Sequence, residues 1–400
     1  MDRTDSTDEM LNRALRLAYF IHNDKPTALR IVASALMSRE GRDKYVEDTR
    51  AEYLRIATTH ARAQDDKKRL ALKDARGNAL KLDWANYAPP APGFLGSRVI
   101  DDISIAELVD FIDWSPFFTT WELAGKFPAI LEDKTVGEAA RSLYADARKM
   151  LDEIVAKGWF KAAAVAGFWP ANSSGDDIQI FGDASRSKPI ATLHTLRQQL
   201  ARREGRANVA LADFIAPSGR PDHIGAFVVT AGIGEDEVAD RFKNANDDYS
   251  SIMVKALADR LAEAFAERLH QKVRREFWGY GADEALTTED LIAEKYRGIR
   301  PAPGYPAQPD HTEKATLFRL IDGERIGVKL TESFAMWPGA SVSGLYFSHP
   351  EAHYFGVGKI ERDQVEDYAA RKGWSVAEAE RWLAPILNYD PLALAKEAAE

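Results

Sequence analysis

The residues best suited to chemistry lie in one short segment, Arg-Pro-Ala-Pro-Gly-Tyr-Pro at residues 300–306. Its three prolines fix φ, remove backbone donors and keep the preceding residues out of the helical region, which predicts a stiff, extended loop. The cation of Arg300, exposed carbonyls and the ring of Tyr305 suit a small zwitterionic ligand. On composition alone, a structural crossing between two helices is the favoured alternative.

Asp113 is a second candidate, because it lies in an aromatic run, Ile-Asp-Trp-Ser-Pro-Phe-Phe at residues 112–118. A carboxylate in such surroundings has to be hydrogen-bonded or paired, since burying it bare is costly. It either caps a turn with Ser115 or accepts the ammonium or hydroxyl groups of a ligand. The local sequence does not choose between these roles.

Glu263 and the pair Tyr354–Phe355 also allow two interpretations. Glu263 lies four residues from both Asp259 and Glu267 on a long predicted helix, and this spacing favours a solvated acidic face. The aromatic pair comes just before a predicted strand, where it either packs in the core or offers a flat wall to a purine.

Composition excludes several classes of protein. A net charge of -9 and a pI near 5.6 argue against a general nucleic-acid-binding protein. The absence of cysteine excludes disulfides, thiolate catalysis and cysteine-ligated metals. The sequence has no His-Glu-x-x-His pair, phosphate loop or serine elbow, so we expect neither a metal site nor a self-contained hydrolase. A polar, acidic start and the lack of a membrane-length apolar run predict a cytoplasmic protein without a membrane partner.

The elements that must position these residues are of mixed type. Residues 1–75 are predicted to form a helical arm, because helical patterns recur between residues 8 and 72 and charge is dense from residue 42 onward. Strands are predicted at residues 162–169, 178–181, 209–215, 224–230, 342–347 and 355–360. Helices are predicted near residues 104–111, 135–157, 235–275, 287–296, 311–321, 361–371 and 375–384. Strand clusters and long helices without regular alternation indicate an α+β fold.

Four segments together resemble the activation domain of cobalamin-dependent methionine synthase: residues 112–118, 300–305, 332–344 and 363–369. The resemblance extends from about residue 76 to residue 389. It implies a C-shaped α+β domain at residues 76–400, with an antiparallel sheet and long helices, that binds S-adenosylmethionine. The preceding arm is similar to the segment that links this domain to a cobalamin domain.

The resemblance also implies an activity and a set of ligand contacts. In this family the domain docks over cob(II)alamin on a partner domain or subunit, and flavodoxin or a related reductase supplies an electron. The methyl group of S-adenosylmethionine then traps cob(I)alamin as methylcobalamin. No catalytic base is implied, because cobalt is the methyl acceptor. The implied contacts to S-adenosylmethionine are Asp113, Glu263, Arg300, Ala302, Tyr305, Tyr354 and Phe355.

The rest of a methionine synthase is missing from this sequence. It contains neither the Asp-x-His-x-x-Gly motif of a cobalamin ligand nor a cysteine cluster for zinc. We therefore expect an excised domain or one subunit of a split enzyme, which alone does not make methionine. The alternatives are a reactivator of another corrinoid methyltransferase and a docking scaffold that has lost its ligand. Retention of Asp113, Arg300 and Tyr305 argues against the scaffold.

Overall fold

The computed structural model describes residues 39–65, 68–203 and 205–391; the helices predicted between residues 8 and 37 lie outside them. The chain divides into two compact units between Lys68 and Arg69. In the first unit the structure describes helix α1 (Arg39–Asp65), where Tyr53 and Leu54 are exposed. The division into an arm at residues 1–75 and a domain at residues 76–400 stays a prediction.

An antiparallel sheet forms the centre of the second unit. Its strands are β1 (Gly96–Ile100), β2 (Lys161–Ser174), β3 (Asp177–Phe181), β4 (Pro189–His194), β5 (His223–Ile233) and β8 (Ser341–Tyr346), and β6 (Lys329–Leu330) pairs separately with β7 (Met336–Trp337). The order is β4-β3-β2-β5-β8, and β1 also pairs with β2. The middle of β2 is buried throughout, because both faces of the sheet are covered.

Helices cover both faces of this sheet. The described α-helices of the second unit are α2 (Leu72–Gly77), α3 (Ile105–Leu108), α4 (Ser115–Thr120), α5 (Gly137–Lys157), α6 (Glu235–Asn244), α7 (Asp248–Lys272), α8 (Thr288–Ile292), α9 (Glu313–Ile321), α10 (Arg362–Lys372) and α11 (Val376–Leu383). Helix α7 packs on β5 and β8 through Leu257, Leu261 and Phe265, as their four-residue spacing predicts. No helix in the described ranges is long and apolar enough to cross a bilayer.

The predicted α+β class is confirmed, but two predicted strands are wrong. Residues 209–215 contain a short 3₁₀ turn (Leu211–Phe214) instead of a strand. Their side chains are apolar because they are buried in the core, and such burial does not require pairing in the sheet. Residues 355–360 form a loop: Gly358 has φ +74°, and the N–H of Val357 donates to the carbonyl of Pro306 at 2.8 Å. This bond ties the 355–360 segment to the proline-rich loop.

Three further elements have boundaries that differ from the predicted ones. The strand predicted at residues 162–169 extends further, since β2 continues to Ser174 and stays paired with β3 up to that residue. The helix predicted at residues 235–275 is two helices, separated near Asn246, which has φ +58°. Helix α8 ends at Ile292 instead of residue 296, because the chain turns at Glu294 with φ +55°.

Candidate functional site

The 300–306 loop lies along the outer edge of β8, opposite β5. Ile299 and Phe347 exchange two backbone hydrogen bonds of 3.1 and 3.0 Å, and the N–H of Leu345 donates to the carbonyl of Pro301 at 2.8 Å. The prolines therefore occupy an outer edge, where a missing N–H leaves no partner unsatisfied. Beyond them, the N–H of Tyr305 donates to the carbonyl of Ala302 at 3.1 Å. The loop is stiff as predicted, through hydrogen bonds as well as prolines.

Gly298 sets the entry to this loop, and we expect Gly298→Ala to lower the free energy of unfolding by roughly 2–4 kcal/mol. Its φ is +77°, and an added Cβ would lie 2.3 Å from the backbone oxygen of Phe347, which cannot move without breaking the β8 edge. Gly279→Ala is the matched control, since it has the same φ of +77° with no atom within 4 Å. Urea unfolding of both variants measures the difference; equal losses would contradict a steric role for Gly298.

A cleft of about 520 Å³ opens beside the loop. Six of the seven predicted site residues line it, namely Glu263, Arg300, Ala302, Tyr305, Tyr354 and Phe355. The seventh, Asp113, lines an adjoining hollow of about 360 Å³, here called the side hollow. The cleft and the side hollow share Glu263, Glu294 and Arg300. The structure thus brings all seven residues around one pair of connected depressions, while their role as ligand contacts stays a prediction.

Arg300 is the cation at the base of these depressions. Its Nη2 donates to Oε2 of Glu267 at 2.7 Å, and its Nε is buried without a hydrogen-bond partner. Burial disfavours the charge of Arg300 and is the largest single effect on its pKa. Attraction to Glu267 and to the hydroxyls of Tyr296 and Tyr354 together outweighs burial and raises that pKa. Nη1 of Arg300 makes no hydrogen bond within the described residues, and 20% of the side-chain surface is exposed. A permanent charge with a free donor edge suits a carboxylate.

Tyr354 both shapes the cleft and holds the loop. The N–H of Arg300 donates to the Tyr354 hydroxyl at 3.0 Å, and that hydroxyl lies 3.1 Å from the hydroxyl of Tyr296. Burial raises the pKa of both phenols, so they stay neutral donors and acceptors. Phe355 lines the cleft and also packs near Phe214, with ring centroids 6.3 Å apart. The pair therefore packs against the core and also lines the cleft, while its contact with a purine stays a prediction.

Asp113 caps a turn, as one of its two interpretations predicts. Its Oδ1 accepts the N–H of Ser115 at 3.0 Å. Its Oδ2 receives no hydrogen bond from any residue that the structure describes, and the side chain borders the side hollow. One oxygen is thus used for folding, and the contact of the side chain with a ligand stays a prediction.

The acidic residues of α7 do not form one solvated face. Asp259 has a side chain that is 56% exposed, but Glu263 is half-buried and Glu267 is buried. Burial raises the pKa of Glu263, an effect that Arg300 and Arg260 oppose. The solvated-face prediction is wrong for Glu267, because the helix turns that residue inward against Arg300.

Sequence reasoning missed four residues around Arg300: Glu267, Glu294, Tyr296 and Ser343. The Ser343 hydroxyl borders the cleft and is buried without a partner. Ser343 lies in the 332–344 segment that carries the resemblance, but nothing in the sequence marked any of the four as part of the site, although Glu294 lies only six residues before Arg300. The residues that the structure describes contain no group of three or more side chains arranged to hold a metal ion.

Comparison with known proteins agrees with this architecture. Residues 104–373 match the family described as vitamin B12 dependent methionine synthase, activation domain, and the chain belongs to that family. A crystal structure of the MetH reactivation domain bound to AdoHcy is 56% identical to this chain, with a TM-score of 0.78. The match covers 80% of this chain and 99% of that one. The resemblance seen in the sequence and the helix-and-antiparallel-sheet fold are both confirmed.

Proposed function

We propose that this chain binds S-adenosylmethionine in the cleft and supports the reductive methylation of cob(II)alamin to methylcobalamin on a partner methionine synthase domain or subunit. The observation that carries the proposal is Arg300, a half-buried cation with a free donor edge at the base of a cleft with an aromatic wall. Membership of the activation-domain family and the AdoHcy held by the related crystal structure support it.

The two depressions offer complementary partners to each part of this ligand. Arg300 would hold the carboxylate through its free Nη1 edge. Oδ2 of Asp113 and the carboxylates of Glu263 and Glu294 would receive the ammonium group, the sulfonium charge or the ribose hydroxyls. Tyr354 and Phe355 would pack against the adenine. Tyr305, which is 59% exposed, stands at the mouth, and the N–H of Ala302 makes no hydrogen bond within the described residues.

In this proposal the chain contributes binding and orientation. Cobalamin on the partner supplies the methyl acceptor, and flavodoxin or a related reductase supplies the electron. No residue of this chain has to move a proton, because methyl transfer to cobalt requires none. The stiff loop would keep the methyl group aimed at the mouth of the cleft, which lowers the entropic cost of a productive encounter.

The direct test mixes this chain with a partner that carries cob(II)alamin, a reductase system and methyl-labelled S-adenosylmethionine. We expect label on cobalt only when all components are present. Calorimetry with S-adenosylmethionine alone separates the two halves of the proposal. Heat of binding without label transfer would contradict the reactivation role, whereas no heat would contradict ligand binding.

Affinity for S-adenosylmethionine should fall as the pH drops from about 8 to about 5. Burial raises the pKa of Glu263, so this carboxylate gains a proton at a higher pH than a free glutamate and then no longer attracts a cation. Calorimetry across this range measures the slope. Glu263→Gln should flatten it, and the neutral thioether S-adenosylhomocysteine should show a shallower slope with the unmodified chain. Identical slopes for both ligands would contradict a contact between Glu263 and the sulfonium.

A further inference from the structure

Glu267 is a buried carboxylate whose placement is explained by Arg300. It is 6% exposed on α7, its Oε2 accepts from Nη2 of Arg300 at 2.7 Å, and its Oε1 is buried without a partner. A buried ion pair of this kind adds little stability compared with apolar residues of the same volume. Its presence at the side hollow, paired with Arg300, therefore points to a role in the site.

The charge of Arg300 also attracts the carboxylates of Glu263 and Glu294. Burial raises the pKa of both Glu263 and Glu294, and the charge of Arg300 opposes that rise in each. Both carboxylates border the cleft, so an arginine paired with either would turn its donor edge away from a ligand and fill part of the space. A hydrogen bond from the backbone N–H of Arg300 to the Tyr354 hydroxyl fixes the backbone, but it does not determine the direction of the side chain.

The ion pair with Glu267 fixes the direction of the Arg300 side chain. Glu267 lies one helical turn beyond Glu263 and borders the side hollow but not the cleft. It accepts a hydrogen bond from Nη2, and Nη1 keeps no hydrogen bond within the described residues. We propose that Glu267 is a positioning residue that keeps Arg300 at the base of the cleft and thereby selects ligands with an amino-acid carboxylate. This inference rests on the proposed function, because it concerns how the same site recognises one end of its ligand.

The test compares two neutral thioethers with the full chain by calorimetry. S-adenosylhomocysteine carries the amino-acid end, and 5′-methylthioadenosine has the same adenosine without it. We expect Glu267→Gln to weaken S-adenosylhomocysteine binding by about tenfold and to leave methylthioadenosine binding unchanged. In an Arg300→Ala background, adding Glu267→Gln should change neither affinity further. Glu276→Gln is the matched control, since its side chain is 55% exposed.

Each outcome bears on the inference. Equal losses for both ligands would show that Glu267 acts through the general fold, and unchanged affinities would show that Arg300 does not need it; either overturns the proposal. Should Glu267→Gln fail to fold by circular dichroism, Glu267→Asp keeps the charge with a shorter reach and should show the same selective loss. A wild-type chain that binds neither thioether would instead overturn the proposed function itself.

Discussion

Arg300→Ala is expected to reduce the affinity for S-adenosylmethionine by roughly 100-fold. Removing a charge-assisted contact to a carboxylate costs about 3 kcal/mol, which corresponds to that factor. The same substitution leaves Glu267 buried without a counter-charge, so part of any loss would come from a less stable protein. Calorimetry therefore has to be combined with unfolding measurements.

Two variants separate the effects on binding and stability. Arg300→Ala with Glu267→Gln removes both charges of the buried pair, so it should recover stability while binding stays weak. Arg319→Ala is the control, because Arg319 is exposed on α9 and does not line the cleft or the side hollow. Recovery of affinity together with stability in the double variant would contradict a direct contact between Arg300 and the ligand.

Lys372→Ala should lower the free energy of unfolding by about 3–5 kcal/mol. The Lys372 ammonium donates to Asp310 at 2.7 Å, to Thr312 at 2.7 Å and to Glu313 at 2.6 Å. Burial alone would raise the pKa of Asp310, but Lys372 and a hydrogen bond from Tyr368 outweigh it and lower that pKa. Without Lys372, two carboxylates would be buried with no cation.

Urea unfolding measures this loss, and its pH dependence identifies the cause. In the variant the two carboxylates would have folded-state pKa values above those of the unfolded chain. They would then bind protons preferentially in the folded state, so the deficit should shrink as the pH falls. Lys255→Ala removes an exposed ion pair with Asp236 and should cost less than about 1 kcal/mol. A loss for Lys372→Ala no larger than this control would contradict the buried network.

The network anchors the chain that leaves the cleft. Asp310 and Glu313 follow the 300–306 loop within a few residues, and Lys372 ends α10, some 60 residues further along the chain. The loop is thus held at its start by the edge of β8 and after its end by α10. A weakened network should loosen the far end of the loop, which links the stability of the domain to the shape of the cleft.

Local signals in the sequence predicted much of this architecture. The prolines of residues 300–306 required a stiff loop, because proline limits φ and removes a donor wherever it stands. Gly373 ends α10 with φ +69°, and the Ser375 hydroxyl accepts the N–H of Glu378 at 3.2 Å at the start of α11. Such features depend on a few adjacent residues, so the sequence alone determined them, together with the class of the fold.

Tertiary structure decided what depends on distant residues. The strands predicted at residues 209–215 and 355–360 are apolar because they are buried or tied to the loop, and composition does not distinguish this burial from pairing in a sheet. Glu267 looks like a surface residue by spacing, yet it pairs with Arg300, which is 33 positions away. Asp113 caps a turn through one oxygen, and only the fold brings its side chain to the side hollow. The sequence named residues capable of binding, and only the packing of α7 against the loop assembled them into one site.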